Sequence, residues 1–289
     1  GALRCEGCSV VGVVPSGRAA LRRRACGERP RFVGQQFGLR LRAAGHGVDV
    51  WIWDTYWLDD GPALHEALEE GFLRSANRDL VRFSVMWTNH PWTVVFPTTR
   101  VDGTALWPPA FEAPDTRPED VWRSLSYLIA RYLHLPEYWR IEDRPVLCIW
   151  DASRLLEAFG DSGTRDLLED LRAYGARLGH QRIHFHVCFQ EKDYRRLQEA
   201  GFDSYGFYQP VVHAADVRPR SEEIPEYGDV VQDVITSVWP QADAMSELPF
   251  FPSVNPGWDT TPRFELPVTT PSGDRETWPG LSHWGALKV

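Results

Sequence analysis

The feature that most constrains the fold is a regular alternation of strand-like and helix-like segments from residue 46 onward. Short runs of β-branched and aromatic residues recur at residues 48–53, 81–87, 146–150, 183–189, 202–208 and 250–254. Between these six runs, apolar residues recur at helical spacing, as Leu64, Leu68 and Phe72 do after the first run. Because each intervening helix returns the chain to the same end of the sheet, the pattern predicts a parallel α/β fold.

Two parallel architectures fit this pattern, the open doubly wound sheet and the closed barrel. No G-x-G-x-x-G or G-x-x-x-x-G-K motif follows any of the runs, so the usual phosphate-binding turns of open sheets are missing. The residues that follow the runs are instead aromatic and polar, and barrel enzymes build their sites at this end of their strands. We therefore predict an α/β (β/α)8 TIM-type barrel, incomplete in this chain, with six of its eight strands recognisable.

The first 45 residues differ from the rest in composition. They hold nine arginines against two acids, Glu6 and Glu28, whereas the whole chain has a formal net charge of -9. Cys5 and Cys8 have the spacing of half a zinc ribbon, but no second pair follows. We interpret residues 1–45 as a basic leader that is not homologous to the rest, residues 46–263 as the barrel domain, and residues 264–289 as a proline-rich C-terminal segment.

Several classes of partner are disfavoured by composition. The negative charge argues against nucleic acid, whose phosphates require a local excess of Lys and Arg. No apolar run reaches the roughly 18 residues of a membrane span. No recognisable motif indicates a cofactor or a Ser or Cys nucleophile, so we predict no cofactor. Few cysteines are available for disulfides, which favours the cytoplasm without deciding the compartment.

Two histidines raise the question of a metal. His184 and His186 are two residues apart in a predicted strand, so their side chains share one face. They could ligate a metal together or form structural hydrogen bonds. Because no third ligand occurs at a recognisable spacing, we predict no metal and a structural role for the pair.

Aromatic residues are the first indication of a ligand class. The chain contains 13 tryptophans and 9 tyrosines, and flat rings stack on the apolar faces of sugars. Large aromatic residues also fill ordinary protein cores, so their position has to decide between the two roles. Several of these rings follow predicted strands together with carboxyl and amide groups, which favours glycan recognition in one cleft.

Four segments resemble glycoside hydrolase family 99 and the WbsX-like group. They are G-V-D-V-W-I-W-D-T-Y-W at 47–57, F-S-V-M-W-T-N-H-P-W at 83–92, I-E-D-R-P-V-L at 141–147, and P-S-V-N-P-G-W-D-T-T-P-R at 252–263. The last is the most specific, because it is long and unusual. The resemblance implies a (β/α)8 barrel that acts on glycans, by hydrolysis in family 99 or in polysaccharide assembly in the WbsX group.

The chain also departs from the family pattern. The family's first strand, with its Y-Y-F-P-like segment, and its last strand, with N-E-W-x-E and the catalytic glutamates, are not found. Glu265 and Glu276 lie in proline-rich surroundings without a strand pattern and cannot be matched to that motif. We therefore expect this chain to lack both barrel ends and to be slow or inactive as a hydrolase.

The candidate site follows from these strand ends and motifs. Asp54 and Asp259 are the predicted catalytic residues, whereas Asp151 and Glu191 are as readily explained as helix caps or loop salt bridges. Arg263 could bind an anionic sugar or hold Asp259 in place. The predicted substrate-binding residues are Tyr56, Trp57, Trp87, Asn89, His90, Trp92, Tyr208, Gln209, Trp258 and Arg263. The predicted function is a glycan-processing hydrolase or transferase domain with a glycan or polysaccharide substrate, and the alternative is a non-catalytic carbohydrate-binding or scaffold fragment.

Overall fold

The computed structural model describes residues 43–58, 61–63, 65–89, 117–190, 193–208 and 227–254, together with the backbone of short strands outside these ranges. The strands are β1 (Val11–Val14), β2 (Val50–Leu58), β3 (Gly61–Ala63), β4 (Arg82–Trp87), β5 (Trp92–Thr93), β6 (Pro109–Phe111), β7 (Arg140–Ile141), β8 (Arg144–Asp151), β9 (His184–Phe189), β10 (Ser204–Gly206), β11 (Phe250–Phe251), β12 (Val268–Thr269) and β13 (Arg275–Glu276). The helices are α1 (Ala67–Phe72), α2 (Pro118–Tyr132), α3 (Ala152–Arg177), α4 (Arg195–Glu199), α5 (Tyr227–Asp233), α6 (Val234–Val238) and α7 (Trp239–Asp243), of which α1 and α6 are π-helical.

The principal sheet is parallel and follows the chain order. Its path is β1-β2-β4-β8-β9-β10-β11, and each neighbouring pair is parallel. The six strands from β2 to β11 on this path are those that the sequence pattern predicts, so the parallel α/β fold is confirmed. β1 adds a strand that the pattern does not predict, because four residues are too few to show a period. In the described part of the chain β1 and β11 are not paired, so the barrel is not closed there.

Short antiparallel hairpins accompany this sheet. β3 pairs with the end of β2, and β7 pairs with the start of β8. Helical spacing predicts a helix from Pro62, but Pro62 lies in β3 and α1 begins at Ala67. β12 and β13 pair with each other, and β13 contains Glu276, around which the sequence shows no strand pattern.

Both faces of the parallel sheet are buried, as expected when helices cover one side and a barrel interior forms the other. One buried cluster includes Trp53 and Phe185 of the strands with Leu125 of α2 and Leu171 of α3. We call this side the helix face. The opposite side, which we call the inner face, carries Val50, Ile52, Met86, Trp139, Val146, Cys148 and Cys188. Alternate residues of one strand therefore lie in different environments.

Local signals explain where the long helix α3 begins and ends. The Asp151 carboxylate accepts a hydrogen bond from the backbone N–H of Ser153 at 2.9 Å, which caps the helix. Gly160 has a φ of 68° and bends the helix. Gly179 follows the end of the helix with a φ of 89°, the left-handed backbone that favours glycine there.

A buried arginine fastens α3 to the sheet. The Arg172 guanidinium donates to the backbone carbonyl of Ile183 at 3.1 Å and to that of Gly201 at 2.7 Å. It also forms an ion pair with Asp203 at 2.6 Å. Asp203 accepts a further hydrogen bond from the backbone N–H of Phe185 at 2.9 Å. These contacts set the positions of β9 and β10, whose far ends contribute to the candidate site.

Candidate active site

Asp54 is the predicted site residue whose surroundings are most unusual. It lies on the inner face of β2, in the same alternation as Val50 and Ile52, and is 5% exposed. The side chain of Tyr56 hydrogen-bonds its carboxyl group. Its Oδ1 atom has no hydrogen-bond partner among the described residues. A buried carboxyl oxygen without a partner is costly, and such groups are concentrated at functional sites.

Burial changes the ionisation of this carboxyl. Removal from water disfavours the charged form and raises the pKa of Asp54 from 3.8 to about 7, against a smaller lowering effect of the Tyr56 hydrogen bond. Both the protonated and the ionised forms are therefore populated near neutral pH. A carboxyl with this property can donate or accept a proton during catalysis.

Tyr208 packs against the inner-face cluster although it follows a different strand from Asp54. Its backbone N–H donates to the Cys188 carbonyl at 2.9 Å, which holds the segment after β10 against β9. Burial raises the pKa of the Tyr208 phenol, and the charges of Asp54 and Tyr56 raise it further. The phenol therefore stays protonated and can donate a hydrogen bond.

A contact between distant strands shows how the sheet is shaped. The backbone N–H of Trp139 donates to the Phe83 carbonyl of β4, and three strands, β8, β9 and β10, lie between β4 and β11. In a flat sheet, four strand spacings amount to about 19 Å. The ring centroid of Trp139 nevertheless lies 6.5 Å from that of Phe251 in β11, so the sheet curls.

Trp150 lies beside Tyr208 and Phe189 lies beside Trp150, and the motifs in the sequence do not identify these two rings. The ring centroid of Trp150 is 4.5 Å from that of Tyr208 and 5.5 Å from that of Phe189. All three side chains are half-buried. Val146, Cys148 and Trp150 are alternate residues of β8, so all three side chains lie on the inner face. This alternation is the feature of the sequence from which the position of Trp150 could have been predicted.

Asn89 is buried between two strand ends. Its Nδ2 atom donates to the Asp151 carbonyl at 2.8 Å, and its Oδ1 atom accepts from the Asp151 backbone N–H at 2.9 Å. The amide therefore joins the end of β4 to the end of β8. This pairing holds together two strands that end at the candidate site. The sequence instead predicts Asn89 as a ligand for sugar hydroxyls, and that role stays a prediction.

Trp57 and Trp87 are placed on the other side of the sheet. Trp87 belongs to the buried cluster of the helix face and is 2% exposed, and Trp57 is 8% exposed. The Trp57 ring lies 5.4 Å from that of Tyr127 in α2, measured between centroids. Their indole N–H groups have no hydrogen-bond partner among the described residues. The structure does not bring these two rings to the inner face with Asp54, and their placement is that of core residues.

The other predicted site residues lie outside the described residues. They are His90, Gln209, Trp258, Asp259 and Arg263, together with the side chain of Trp92. Glu191 lies outside them as well. Their roles therefore stay predictions, including the pairing of Asp259 with Asp54.

His184 and His186 share a hydroxyl group. The Oγ atom of Ser204 is 2.7 Å from Nε2 of His184 and 2.9 Å from Nδ1 of His186. The Phe251 ring stacks on both imidazoles, with its centroid 5.0 Å from that of His186. Burial lowers the pKa of His184 to about 4 and that of His186 to about 3, so both rings are neutral at physiological pH. The described residues contain no group of three or more His, Cys, Asp or Glu side chains placed to hold a metal.

The described residues place rings and an acid toward the carboxyl ends of a parallel sheet, where barrel enzymes build their sites. Residues 30–270 match the model of the family described as "Glycosyltransferase WbsX". The chain belongs to this family, which makes it a carbohydrate-active enzyme domain and confirms the resemblance to the WbsX-like group. The match extends beyond residues 46–263 at both ends, and the domain boundaries inferred from composition stay predictions. No curated protein matches the chain.

The chain is similar to two solved structures, of which the first supports the fold. A "glycoside hydrolase-like protein" has a TM-score of 0.56 and 11% identity over 96% of this chain and 78% of that chain. The GH99 endo-α-mannosidase from Bacteroides thetaiotaomicron has a TM-score of 0.49 and 15% identity over 88% of this chain. The chain spans 61% of the length of that mannosidase. None of the helices in the described residues is long and apolar enough to cross a membrane.

Proposed function

We propose that this chain is a glycan-processing domain in which Asp54 exchanges a proton with the oxygen of a glycosidic bond. The observation that carries the proposal is the buried Asp54 carboxyl on the inner face, whose Oδ1 atom has no partner among the described residues. An oxygen that the fold leaves unsatisfied is available to a substrate. The raised pKa of Asp54 supports the same role, because a protonated carboxyl can assist a leaving oxygen.

The surroundings of Asp54 fit a sugar better than a charged substrate. Tyr56 and Tyr208 contribute phenols, and Trp150 contributes an indole ring next to Tyr208. Neutral hydrogen-bonding groups beside aromatic rings suit the hydroxyls and C–H faces of a sugar ring. Membership of a carbohydrate-active family supports the same substrate class.

Glycoside cleavage requires a second carboxyl, about 5 to 9.5 Å from the first. Asp259, in the P-G-W-D segment that follows β11, is our candidate for this role. Transfer of the sugar to water would be hydrolysis, and transfer to another hydroxyl would be glycan assembly. In either reaction Asp54 protonates the leaving oxygen or deprotonates the acceptor.

The test compares two carboxyls on strands of the sheet, the buried Asp54 and the half-buried Asp151. Asp54→Asn should lower the release of reducing ends from a panel of mannans and bacterial polysaccharides by about 100- to 10,000-fold. Asp151→Asn is the matched control, because Asp151 also follows a buried strand segment and has a pKa raised by burial. Asparagine can keep the cap on α3, so this variant should keep its activity.

Three outcomes separate the alternatives. Loss of turnover in Asp54→Asn but not in Asp151→Asn supports the proposal. Equal turnover in both variants and the wild type would show that Asp54 is not the acid. If the wild-type chain binds glycans on an array without turning them over, the non-catalytic carbohydrate-binding function is favoured instead.

A further inference from the structure

We infer that Trp150, Phe189 and Tyr208 form a stacking surface for one sugar ring next to Asp54. This inference rests on the proposed function and adds the place where the substrate is held. We call these three side chains the aromatic triad. They come from three successive positions of the sheet, the end of β8, the end of β9 and the segment after β10.

The geometry of the aromatic triad distinguishes it from packed core rings. The planes of Trp150 and Tyr208 meet at 68° with their centroids 4.5 Å apart, so the two rings form a corner. Phe189 has the strand parity of the helix-face residues Phe185 and Val187, but at the end of β9 its ring lies 5.5 Å from that of Trp150, tilted by 32°. A corner of this kind lets one ring stack on the face of a sugar while the other contacts its edge.

Exposure separates the triad from other large rings of the same sheet. Trp53 and Trp87 on the helix face are 1% and 2% exposed, which is what a core requires. The three rings of the triad are half-buried and retain surface for a ligand. Partly exposed aromatic rings grouped at the carboxyl ends of barrel strands are best explained by a ligand.

The polar neighbours of the triad fit a sugar. The Tyr208 phenol stays protonated, and Tyr208 packs against the inner-face cluster that includes Val50 and Ile52, whose alternation on β2 Asp54 continues. A ring that stacks on Trp150 would therefore meet a hydrogen-bond donor on the face that carries Asp54. Sugars combine an apolar C–H face with hydroxyls around the edge, which this arrangement matches.

A glycan array probed with the full chain tests the inference. Trp150→Ala should weaken binding to the glycans that the wild type recognises by at least about tenfold, as loss of an aromatic stacking partner typically does. Trp150→Tyr keeps a ring and should retain most of the binding. The matched control is Trp122→Ala, because Trp122 is also half-buried and paired with a ring, that of Tyr174, but lies on α2.

A second variant covers the case in which Trp150→Ala does not fold. Phe189→Leu keeps the apolar volume and removes only the ring, so it should fold and bind several-fold more weakly than the wild type. Asp54→Asn should keep binding while losing turnover, which separates the stacking surface from the acid. Selective weakening in the triad variants, with Trp122→Ala unchanged, supports the inference.

The contrary outcomes are distinct. If folded Trp150→Ala and Phe189→Leu bind the array as the wild type does, the triad is not the stacking surface, and the proposed function is untouched. If Trp122→Ala weakens binding as much as Trp150→Ala, the effect is one of stability and the inference is overturned. If the wild-type chain binds no glycan, the proposed function fails and the inference fails with it.

Discussion

The inner face contains two buried polar groupings that differ in how their hydrogen bonds are used. In the first, His184 and His186 share the Ser204 hydroxyl and stack on Phe251. In the second, the Asp54 carboxyl has one hydrogen bond from Tyr56 and an Oδ1 atom with no partner among the described residues. Both groupings are buried among apolar side chains, so burial alone does not explain the difference.

The difference shows how a structural polar group can be told from a functional one. Burial shifts the pKa of the two histidines downward and that of Asp54 upward, so each prefers its neutral form. The histidine pair shares one partner within the fold, the Ser204 hydroxyl, although Nδ1 of His184 has none among the described residues. The Oδ1 atom of Asp54 accepts no hydrogen bond from the described residues, which costs stability but leaves that oxygen available to a substrate.

The largest loss of stability is expected when the histidine pair loses its shared hydroxyl. Ser204→Ala removes the hydroxyl that both imidazoles contact, leaving two buried ring nitrogens without that partner. The expected loss is about 2 to 4 kcal/mol in the free energy of unfolding. Urea denaturation of the variant and the wild type measures it.

Ser84→Ala is the control for this loss. Ser84 is also fully buried and donates to the Val146 carbonyl at 2.7 Å. That carbonyl accepts a second hydrogen bond from the Tyr138 hydroxyl at 2.7 Å, so it stays paired in the variant. A loss of only about 1 kcal/mol is expected. Equal losses of stability in Ser204→Ala and Ser84→Ala would contradict this prediction. A hydroxyl that two histidines contact would then matter no more than one whose acceptor keeps another donor.

The next effect concerns pH and the carboxyl. A group whose folded pKa is raised stabilises the fold at low pH, and that stability is lost as the pH rises through the folded value. For Asp54 the window runs from 3.8 to about 7. Between pH 5 and 8 the wild type should therefore lose about 2 to 3 kcal/mol of stability relative to Asp54→Asn.

Denaturation curves of both proteins at pH 5 and pH 8 measure this difference. The histidine pair acts in the opposite direction in both proteins, because a lowered pKa makes stability fall as the pH falls below 6.5. It cancels when the variant is subtracted from the wild type. If the stability of the two proteins changed with pH in parallel, Asp54 would titrate as it does in water. The fold would then not be destabilised by the burial and the unpartnered oxygen of this carboxyl.

The smallest loss of stability is expected at the end of the sheet that carries the candidate site. It tests whether the hydrogen bonds there stabilise the fold. Asn89→Ala removes both hydrogen bonds that join Asn89 to the Asp151 backbone. The expected loss is about 1 to 2 kcal/mol, because the freed backbone groups lie near a cleft and can be hydrated. Asn89→Asp keeps the acceptor and loses the donor, so it should fall between the wild type and Asn89→Ala. A loss as large as that of Ser204→Ala would show that both ends are equally structural.

Some of this arrangement could be predicted from the sequence. Runs of β-branched and aromatic residues separated by helical spacing place the six strands from β2 to β11, and their parallel order follows from the intervening helices. Gly179 marks the end of α3 because left-handed backbone favours glycine. Asp54 can be selected because a carboxylate inside an aromatic strand is unusual. Short elements such as β1 and β3 show too little periodicity to be predicted.

The face on which each ring lies was decided by the tertiary structure. In a parallel strand buried on both sides, Trp53 and Trp57 look as apolar as Val50 and Ile52, so the pattern does not show which parity faces the barrel interior. Packing of α2 against the sheet assigns Trp57 to the helix face, while Trp150 joins the inner face. The sequence by itself determined the order and direction of the strands, because these depend on local pattern and connection length. Which side chains share a cleft depends on the register and curl of the whole sheet, because side chains from separate strands meet only when the sheet curls.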